Sequence, residues 1–398
     1  MTVIPTLGTA FELPATGGGG CPYAATVPLP AAGGPVFTVA GNGVGTWRLT
    51  RPVDVRAVLA DTVSFTSRRG PQDPPPGPAG REVLPTIDGM FVQHDGSAHL
   101  AYRRLLAHEF SDMRVSAGAA RITAIAEKHL DAMVRTGKPA DLVGQYALPL
   151  ASEAVCALLG VPWEVHGPRM LDLFAGQDLG NADLNSTATP VDDYLRHLAR
   201  DILADPARYP GLLGRIAAHG LPDRPVEASE LAGVAKLLLM PGHVSPTHML
   251  TLSVLTLLQA EPAWYAKLAS DPDGAPDVVE ELLHHITVKQ QGLTRRAVRD
   301  TEVGGVLIRA GQWVTCVLDT PAAELGAFTP GRTPVTHLAF GHGPHQCLGQ
   351  HLSRALLAGG LSVLARRLPA LRPATAPEHL SRRATHTVAG VARFPVTW

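Results

Sequence analysis

One cysteine, Cys347, stands among closely spaced glycines where the last long apolar helix is predicted to begin, in the segment HLAFGHGPHQCLGQHLSRALL at 337–357. Glycines permit a tight turn with the backbone close to a ligand, and the N-terminus of a helix directs N–H groups at a negative atom. A helix N-terminus also lowers the pKa of a thiol, so this position suits a thiolate that binds a metal. The residues alone leave a second interpretation open, a buried structural cysteine in a helix cap.

The composition favours a folded protein that acts on a small molecule. Of 398 residues, 45% are hydrophobic and only 17% are charged, which is enough apolar surface for a large core. Lys and Arg total 34 against 35 for Asp and Glu, so no strong field draws the chain to nucleic acid or anionic lipid. We therefore expect a small-molecule substrate and no nucleic-acid or membrane partner. We also expect a monomer.

The cysteines and the N-terminus predict a cytoplasmic protein. Cys21, Cys156, Cys316 and Cys347 are far apart and form no Cys-x-x-Cys pair, so neither a zinc ribbon nor a disulfide framework is indicated. The N-terminal MTVIPTLGTAFELPATGGGG has no basic segment followed by an apolar run. No stretch of the sequence approaches the about 18 uninterrupted apolar residues of a membrane span.

Helical periodicity dominates the middle of the chain and indicates a fold that is mainly α with a small β region. Residues 1–35 and 68–89 are rich in Gly and Pro and are predicted to be loops. From His99 onward apolar residues recur at helical spacing, as in the stripe that contains Ile122 and Leu130. Helices are predicted near 141–159, 164–175, 190–218, 227–257, 261–269, 276–285 and 347–367. Short β-like runs are predicted at 298–299, 306–309 and 313–318.

The residues around Cys347 resemble the cysteine-ligand loop of the cytochrome P450 family in each of its characteristic places. The matching pattern is Phe340-Gly341-x-Gly343-x-His345-x-Cys347-x-Gly349. The resemblance implies that the cofactor is haem b, iron protoporphyrin IX, with Cys347 as the ligand of the iron. It also implies cofactor-binding roles for Phe340, Gly341, His345 and Gly349. In that family the thiolate donates electron density to the iron and promotes O–O cleavage, so oxidative chemistry is expected.

The resemblance extends over nearly the whole chain. YALPLASEAVCALLGVPWE at 146–164 is similar to the fifth helix of the family, and VGGVLIRAGQWV at 303–314 to the hairpin after its Glu-x-x-Arg helix. These blocks imply the family's fold for a single domain at 1–398, a mainly helical triangular prism with a long central helix over the haem. The resemblance places the pocket walls at about 70–92, 171–190, 237–246, 286–293 and 384–390.

Cationic residues elsewhere in the chain match the family's propionate-binding positions. His99 and Arg103 stand four residues apart in HDGSAHLAYRRLL and resemble the family's His-x-x-x-Arg pair for a haem propionate. Arg295, in QQGLTRRAVRD, stands where the family places a further propionate arginine, and His345 is the fourth donor. Without the cysteine loop, a solvated helix face explains His99 and Arg103 as well.

One departure from the family concerns its Glu-x-x-Arg motif. Glu281-Leu282-Leu283-His284 occupies that place, so the arginine that normally pairs with the glutamate is missing. A protonated His284 or His285 is a candidate for the hydrogen-bonding role, and Arg332 is a candidate for the missing cation.

A second departure lies in the long helix. LLLMPGHVSPTHML at 237–250 stands where the family commonly carries Ala-Gly-x-Asp/Glu-Thr, the acid and alcohol that pass protons during oxygen activation. The catalytic candidates are therefore Gly242, His243, Val244 and Ser245, with valine in place of the acid and serine in place of threonine.

Two prolines flank these candidates. Pro241 and Pro246 lack the backbone N–H that a helix needs, so the helix is expected to kink or open there and to free carbonyls that hold water. A water chain through Ser245 or His243 is then a candidate to replace the acid. The alternative is that the prolines bend a packed helix and have no chemical role.

Together these features predict a haem-thiolate oxidoreductase. The first hypothesis is a bacterial secondary-metabolite tailoring monooxygenase that hydroxylates or epoxidises with O₂ and electrons from ferredoxin and ferredoxin reductase, since the chain contains no flavin or iron–sulfur module. The second is an atypical haem-thiolate enzyme that performs oxidative coupling, cyclisation or peroxide-driven chemistry. The third is a non-catalytic auxiliary protein that stabilises a partner enzyme, against which the retained Cys347 loop argues.

Overall fold

The computed structural model describes residues 33–69, 74–77, 87–175, 189–221, 224–289, 291–320, 322–333, 336–381 and 388–398. Cys21, most of the predicted loop at 1–35, and parts of the predicted pocket walls lie outside these residues. Helices make up most of the described part of the chain, so the prediction of a mainly α fold is confirmed. No described helix combines the length and the apolar character that crossing a membrane requires.

The helices follow one another along the chain with short connections. They are α1 (Pro52–Ala60), α2 (Gly96–Ala107), α3 (Asp112–Ala117), α4 (Ala119–Thr136), α5 (Leu148–Leu159), α6 (Trp163–Ala175), α7 (Pro190–Ala204), α8 (Leu212–His219), α9 (Ala228–Gln259), α10 (Pro262–Ser270), α11 (Ala275–His285), α12 (Ala322–Leu325) and α13 (Gln350–Arg367).

The strands form one larger sheet and two small ones. They are β1 (Val36–Val39), β2 (Gly45–Leu49), β3 (Phe65–Thr66), β4 (Ala140–Asp141), β5 (Leu293–Ala297), β6 (Thr301–Val303), β7 (Val306–Ile308), β8 (Trp313–Cys316), β9 (Arg372–Pro373) and β10 (Pro395–Thr397). The five-stranded sheet has the order β1-β2-β8-β5-β3, with β2 parallel to β8. The small sheets are β4-β10-β9 and β6-β7.

The amphipathic stripe of α4 shows how the sequence pattern becomes packing. Ile122, Ala126 and Leu130 recur at helical spacing and are all buried, while the opposite face of α4 is charged. α4 packs on α13, and its N-terminus follows Gly118. Gly137 ends the helix at a φ of 90°, a backbone conformation that favours glycine.

Some predicted boundaries are wrong, each for a local reason. The helix predicted over 190–218 is divided into α7 and α8, because the backbone leaves the helical conformation at Asp205, directly before Pro206. The β-like run at 298–299 is a bend, and the strand is β5, which ends at Ala297 where its pairing with β3 ends. Val298 is exposed and contributes little apolar packing to the sheet.

The long helix α9 belongs to both of the main apolar clusters of the core. Its second half belongs to a cluster that also contains residues of α4, α5, α11 and α13, and its first half belongs to a cluster with residues of α5, α7 and α8. α9 continues as a helix through Pro241 and Pro246, so the expected opening at these prolines does not occur. Tertiary packing supplies most of the stability of a helix, and α9 is buried on almost every face.

Candidate functional site

Two glycines shape the loop that leads to Cys347. Gly341 and Gly343 have φ angles of 69° and 73°, in the left-handed region. A Cβ at Gly343 would lie 2.5 Å from the Leu59 carbonyl oxygen, so the loop passes too close to α1 for any larger residue. The Cys347 N–H donates to the Phe340 carbonyl at 2.9 Å and closes the loop. The cysteine therefore sits on a constrained turn, three residues before α13 begins.

The thiol of Cys347 is exposed, although protein surrounds the residue closely. Burial raises its pKa above the ordinary value, while the backbone N–H of Gly349 and the charges of Arg103 and Arg354 act to lower it. The Gly349 N–H thus acts on the pKa in the expected direction, but desolvation outweighs it and raises the net pKa of the thiol. A metal ion that binds the sulfur displaces the proton and reverses this balance.

The four predicted propionate donors lie together beside this loop. The rings of His99 and His345 stack with their centroids 3.9 Å apart. Arg103 Nη1 donates to the Gln346 carbonyl at 2.9 Å, which ties α2 to the cysteine loop. Burial, and then the charges of His345, Arg103 and Arg295, lower the pKa of His99 to about 4. α2, β5 and the cysteine loop thus join at one cationic cluster.

One carboxylate in this cluster was missed in the sequence. Asp95 accepts a hydrogen bond from His345 Nε2 at 3.2 Å, and it also accepts from Thr66 Oγ1 and from the Ser67 N–H. Burial alone raises the pKa of Asp95, but these hydrogen bonds lower it far below its usual range. Asp95 directly precedes α2, a common place for a helix cap, so its position along the chain does not indicate this second role.

The arrangement fits a haem with two anionic propionates and a thiolate ligand. Nδ1 of His345 is buried and has no hydrogen-bond partner among the described residues, so it is available to an anion. Arg295 is buried, and burial lowers the pKa of its guanidinium. His99, Arg103, Arg295 and His345 would hold the anionic groups of such a cofactor, and the exposed sulfur of Cys347 would bind its metal.

Four partly exposed positions interrupt the otherwise buried core of α9. Every residue from Glu230 to Leu257 is buried except Leu237, Pro241, Gly242 and Ser245. Leu237, Pro241 and Ser245 are spaced four apart and share one face of the helix. Gly242 lies against Val155 of α5, where a Cβ would come within 2.9 Å of that side chain. Ser245 is thus the predicted catalytic candidate that lies on the partly exposed stripe.

His243 and Val244 lie away from this stripe. Val244 is 5% exposed and belongs to the same apolar cluster as Leu195 and Leu238. His243 is 1% exposed, and its Nδ1 donates to the Leu239 carbonyl at 2.8 Å, within its own helix. The structure therefore does not favour a water chain through His243, because this imidazole points along the buried side of α9. The catalytic roles of the four candidates remain predictions.

Arg332 takes the place of the missing arginine beside Glu281. Glu281 is fully buried, and its Oε1 accepts from Arg332 Nη2 at 2.5 Å, from His285 Nε2 at 3.0 Å and from the Thr329 N–H at 2.8 Å. His284 makes no ion pair with Glu281 among the described contacts, and burial lowers the pKa of its imidazole. Of the three candidates, Arg332 and His285 therefore bind the Glu281 carboxylate in place of the family's arginine, and His284 does not.

A second ion-pair network joins α11 to α13 and to the cysteine loop. Arg354 Nε donates to Glu280 Oε1 at 2.5 Å, and His337 Nε2 lies 3.3 Å from Glu280 Oε2. The guanidinium carbon of Arg354 lies 4.6 Å from the centre of the Phe340 ring, a cation–π contact. These residues hold the helix that follows Cys347 against the preceding loop.

Glu280 is expected to contribute pH-dependent stability. Burial acts to raise its pKa, but hydrogen bonds from His337 and Arg354 lower it from 4.5 to about 2. This stability is therefore fully present above the unfolded pKa and is lost as the pH falls from about 4.5 towards about 2. We expect Glu280→Gln to lower the free energy of unfolding by about 2 kcal/mol at pH 7, with screening by solvent taken into account.

Urea unfolding at pH 7 and at about pH 3.5 measures this difference between Glu280→Gln and the unchanged protein. The difference should shrink at the lower pH. Glu302→Gln, at an exposed position on β6, is the control and should change little at either pH. If Glu280→Gln lowers the free energy of unfolding equally at both pH values, the pKa of Glu280 is not lowered by His337 and Arg354.

Known proteins resemble this chain over most of its length. Cytochrome P450-SU2 of Streptomyces griseolus is 34% identical and matches 98% of this chain and 97% of its own. Pentalenic acid synthase of Streptomyces avermitilis is 35% identical over 90% of this chain and 89% of its own. No protein-family model matches the chain.

Solved structures of bacterial proteins are similar to this chain in both fold and sequence. The structure of Streptomyces peucetius CYP105P2 with a biphenyl compound has a TM-score of 0.85 at 30% identity, and each chain is covered fully. The mycinamicin VIII C21 methyl hydroxylase of Micromonospora griseorubida has a TM-score of 0.79 at 32% identity, over 92% of this chain and 94% of its own. With a cysteine on a glycine turn, arginine and histidine side chains clustered beside it, and relatives of this identity over nearly its full length, the chain belongs to the cytochrome P450 family.

Proposed function

We propose that this protein is a tailoring monooxygenase of bacterial secondary metabolism. It acts on a small molecule in the cytoplasm, takes electrons from a ferredoxin and its reductase, and consists of one domain at 1–398. The names of its relatives support this proposal, since they include a pentalenic acid synthase, a nocardicin C N-oxygenase and a mycinamicin hydroxylase. The cysteines of the described residues are free thiols, which fits a reducing compartment.

One observation carries the proposal: the exposed residue Cys347 lies beside a cluster of arginines and histidines in which the buried Nδ1 of His345 has no hydrogen-bond partner among the described residues. Haem supplies the oxidising chemistry when bound, and the thiolate tunes it. Cys347 supplies the sulfur, while His99, Arg103, Arg295 and His345 hold the propionates. A non-catalytic auxiliary protein has no need of this combination.

The valine at position 244 supports the second hypothesis, an atypical haem-thiolate enzyme that performs oxidative coupling, cyclisation or peroxide-driven chemistry. An apolar side chain occupies the position where the family commonly has an acid, and it is packed in the core. A reaction driven by hydrogen peroxide, or one whose substrate donates the proton, does not require that acid, whether oxygen is inserted or two hydrogens are removed.

Mass spectrometry distinguishes the two reactions. The purified protein is incubated with candidate pathway metabolites, once with ferredoxin, reductase and NADPH, and once with hydrogen peroxide. A product that has gained one oxygen supports the monooxygenase, and a product that has lost two hydrogens supports oxidative coupling or cyclisation. If the protein is purified without haem and does not bind haem that is added to it, both reactions are ruled out.

Ser245 is expected to assist proton delivery in the monooxygenase reaction. Its side chain is the hydroxyl on the partly exposed stripe of α9, and a positioned proton donor contributes about 10²–10⁴-fold to a rate. We expect Ser245→Ala to lower the yield of product per NADPH consumed by at least about tenfold, with a smaller loss when peroxide is the oxidant.

Thr247→Val is the matched control, because the Thr247 hydroxyl donates to the His243 carbonyl at 2.6 Å within the buried side of the same helix. If Ser245→Ala and Thr247→Val behave alike, the hydroxyl of Ser245 has no special role.

A further inference from the structure

His248 lies on the same side of α9 as Ser245. It follows Ser245 by three residues, so the two Cβ atoms are about one helical turn apart. At 100° per residue, His248 continues the stripe that Leu237 and Pro241 begin. Unlike the other residues of that stripe, His248 is 1% exposed. Another part of the protein therefore covers its imidazole.

The residue that covers His248 is Gly390. A Cβ placed on Gly390 would lie 2.2 Å from Nδ1 and 2.4 Å from Cγ of the imidazole. Nonbonded atoms do not approach so closely, so the ring rests directly on the backbone at 390. Only glycine fits there while the imidazole keeps this position.

The same backbone segment, 388–391, is held on its other side by the residues that follow α11. The Ala389 N–H donates to the Val288 carbonyl at 2.7 Å. Val388 is buried in the apolar cluster that contains Val244, while Ala389 and Gly390 are partly exposed. The segment is thus fixed between the His248 ring and Val288, and two of its residues are partly exposed, like Ser245 on the neighbouring helix.

We propose that His248 is a specificity-determining positioning residue, whose imidazole sets how closely the segment 388–391 approaches α9 and thereby sets the size of the substrate space beside Ser245. This inference rests on the proposed function. His248 acts here through packing on Gly390 and not as a catalytic group. Its loss lets the segment move towards α9 or leaves open volume, and both change which ligands fit.

Azole binding to the ferric haem protein tests the proposal without a known substrate. A ring nitrogen of an azole binds the haem iron and shifts the Soret band, so titration gives a dissociation constant. Imidazole is small and serves as the probe of the iron site alone, and clotrimazole is the bulky probe. We expect His248→Ala to change the affinity for clotrimazole by about tenfold while the affinity for imidazole stays within about twofold.

Gly390→Ala gives a test that is specific to this contact. In the presence of His248 the new methyl group collides with the imidazole, so we expect a lower Tm and a change in clotrimazole affinity of about tenfold. In the His248→Ala background the methyl group fills the space that the imidazole left. There, Gly390→Ala should be tolerated, and the two substitutions should be strongly non-additive.

Ser253→Ala is the matched control, a buried residue of the same helix that lies off the stripe, and it should alter neither azole. Equal effects of Gly390→Ala with and without His248, or parallel changes in imidazole and clotrimazole affinity for His248→Ala, would overturn the proposal. The reduced carbon monoxide spectrum of every variant is recorded as well. If the unsubstituted protein lacks the red-shifted carbon monoxide band, the proposed function is wrong. If the band is present but the azole results differ from those expected, only the inference about His248 is wrong.

Discussion

Replacing Cys347 by serine is expected to abolish the red-shifted Soret band that the reduced protein gives with carbon monoxide. The shift would arise from Cys347 as a thiolate ligand of the iron, because a hydroxyl group in its place would donate far less electron density. The loop is otherwise held by Gly341, Gly343 and the hydrogen bond from Cys347 N–H to the Phe340 carbonyl, none of which needs the sulfur. The variant should therefore fold and lose the band completely, with weaker retention of haem.

Cys156→Ala is the control for this experiment. Cys156 is fully buried in α5, with its sulfur 3.7 Å from the Met170 sulfur, and it is remote in sequence from the cysteine loop. Its truncation lowers stability by an amount typical of a small core cavity and should leave the band in place. If Cys347→Ser keeps the band, Cys347 is not the ligand of the iron, and the proposed oxidation chemistry is wrong.

The second large effect is expected from Arg332→Ala, which leaves the buried carboxylate of Glu281 without its main cation. Removal of one partner of a buried ion pair costs about 3–5 kcal/mol, because the remaining charge stays desolvated. The Arg332 side chain is 24% exposed, and His285 and the Thr329 N–H still bind Glu281, so we expect about 3 kcal/mol. Since α11 packs on α13, which follows Cys347, haem content should fall as well.

Urea unfolding and the ratio of haem to protein absorbance measure this effect. Arg367→Ala is the matched control, because Arg367 pairs with Glu127 and Asp131 at the surface and should contribute less than about 1 kcal/mol. The double variant Glu281→Gln, Arg332→Ala leaves no uncompensated charge and should recover part of the loss. If Arg332→Ala costs no more than Arg367→Ala, then Arg332 does not replace the family's arginine.

Those features of the protein that depend on neighbours along the chain could be predicted from its sequence. The glycine turn before Cys347, the His99 and Arg103 spacing and the periodic stripe of α4 are local patterns with local physical causes. They gave the fold class and the family. They also gave the four predicted propionate donors, which the structure brings together beside Cys347. Prediction from the sequence failed where local rules compete with packing, as at Pro241 and Pro246, because burial on almost every side holds α9 in a helix that propensity alone would open.

The chain's own sequence thus determined the family, the glycine turn that carries Cys347 and the cations that are predicted to lie beside it. Only the tertiary structure decided which distant side chains meet one another. Asp95 meets His345 across 250 residues, Arg332 meets Glu281 across 51, and Gly390 meets His248 through the packing of a C-terminal segment on α9. Such partners are chosen by how distant elements pack, and no spacing along the chain encodes that geometry.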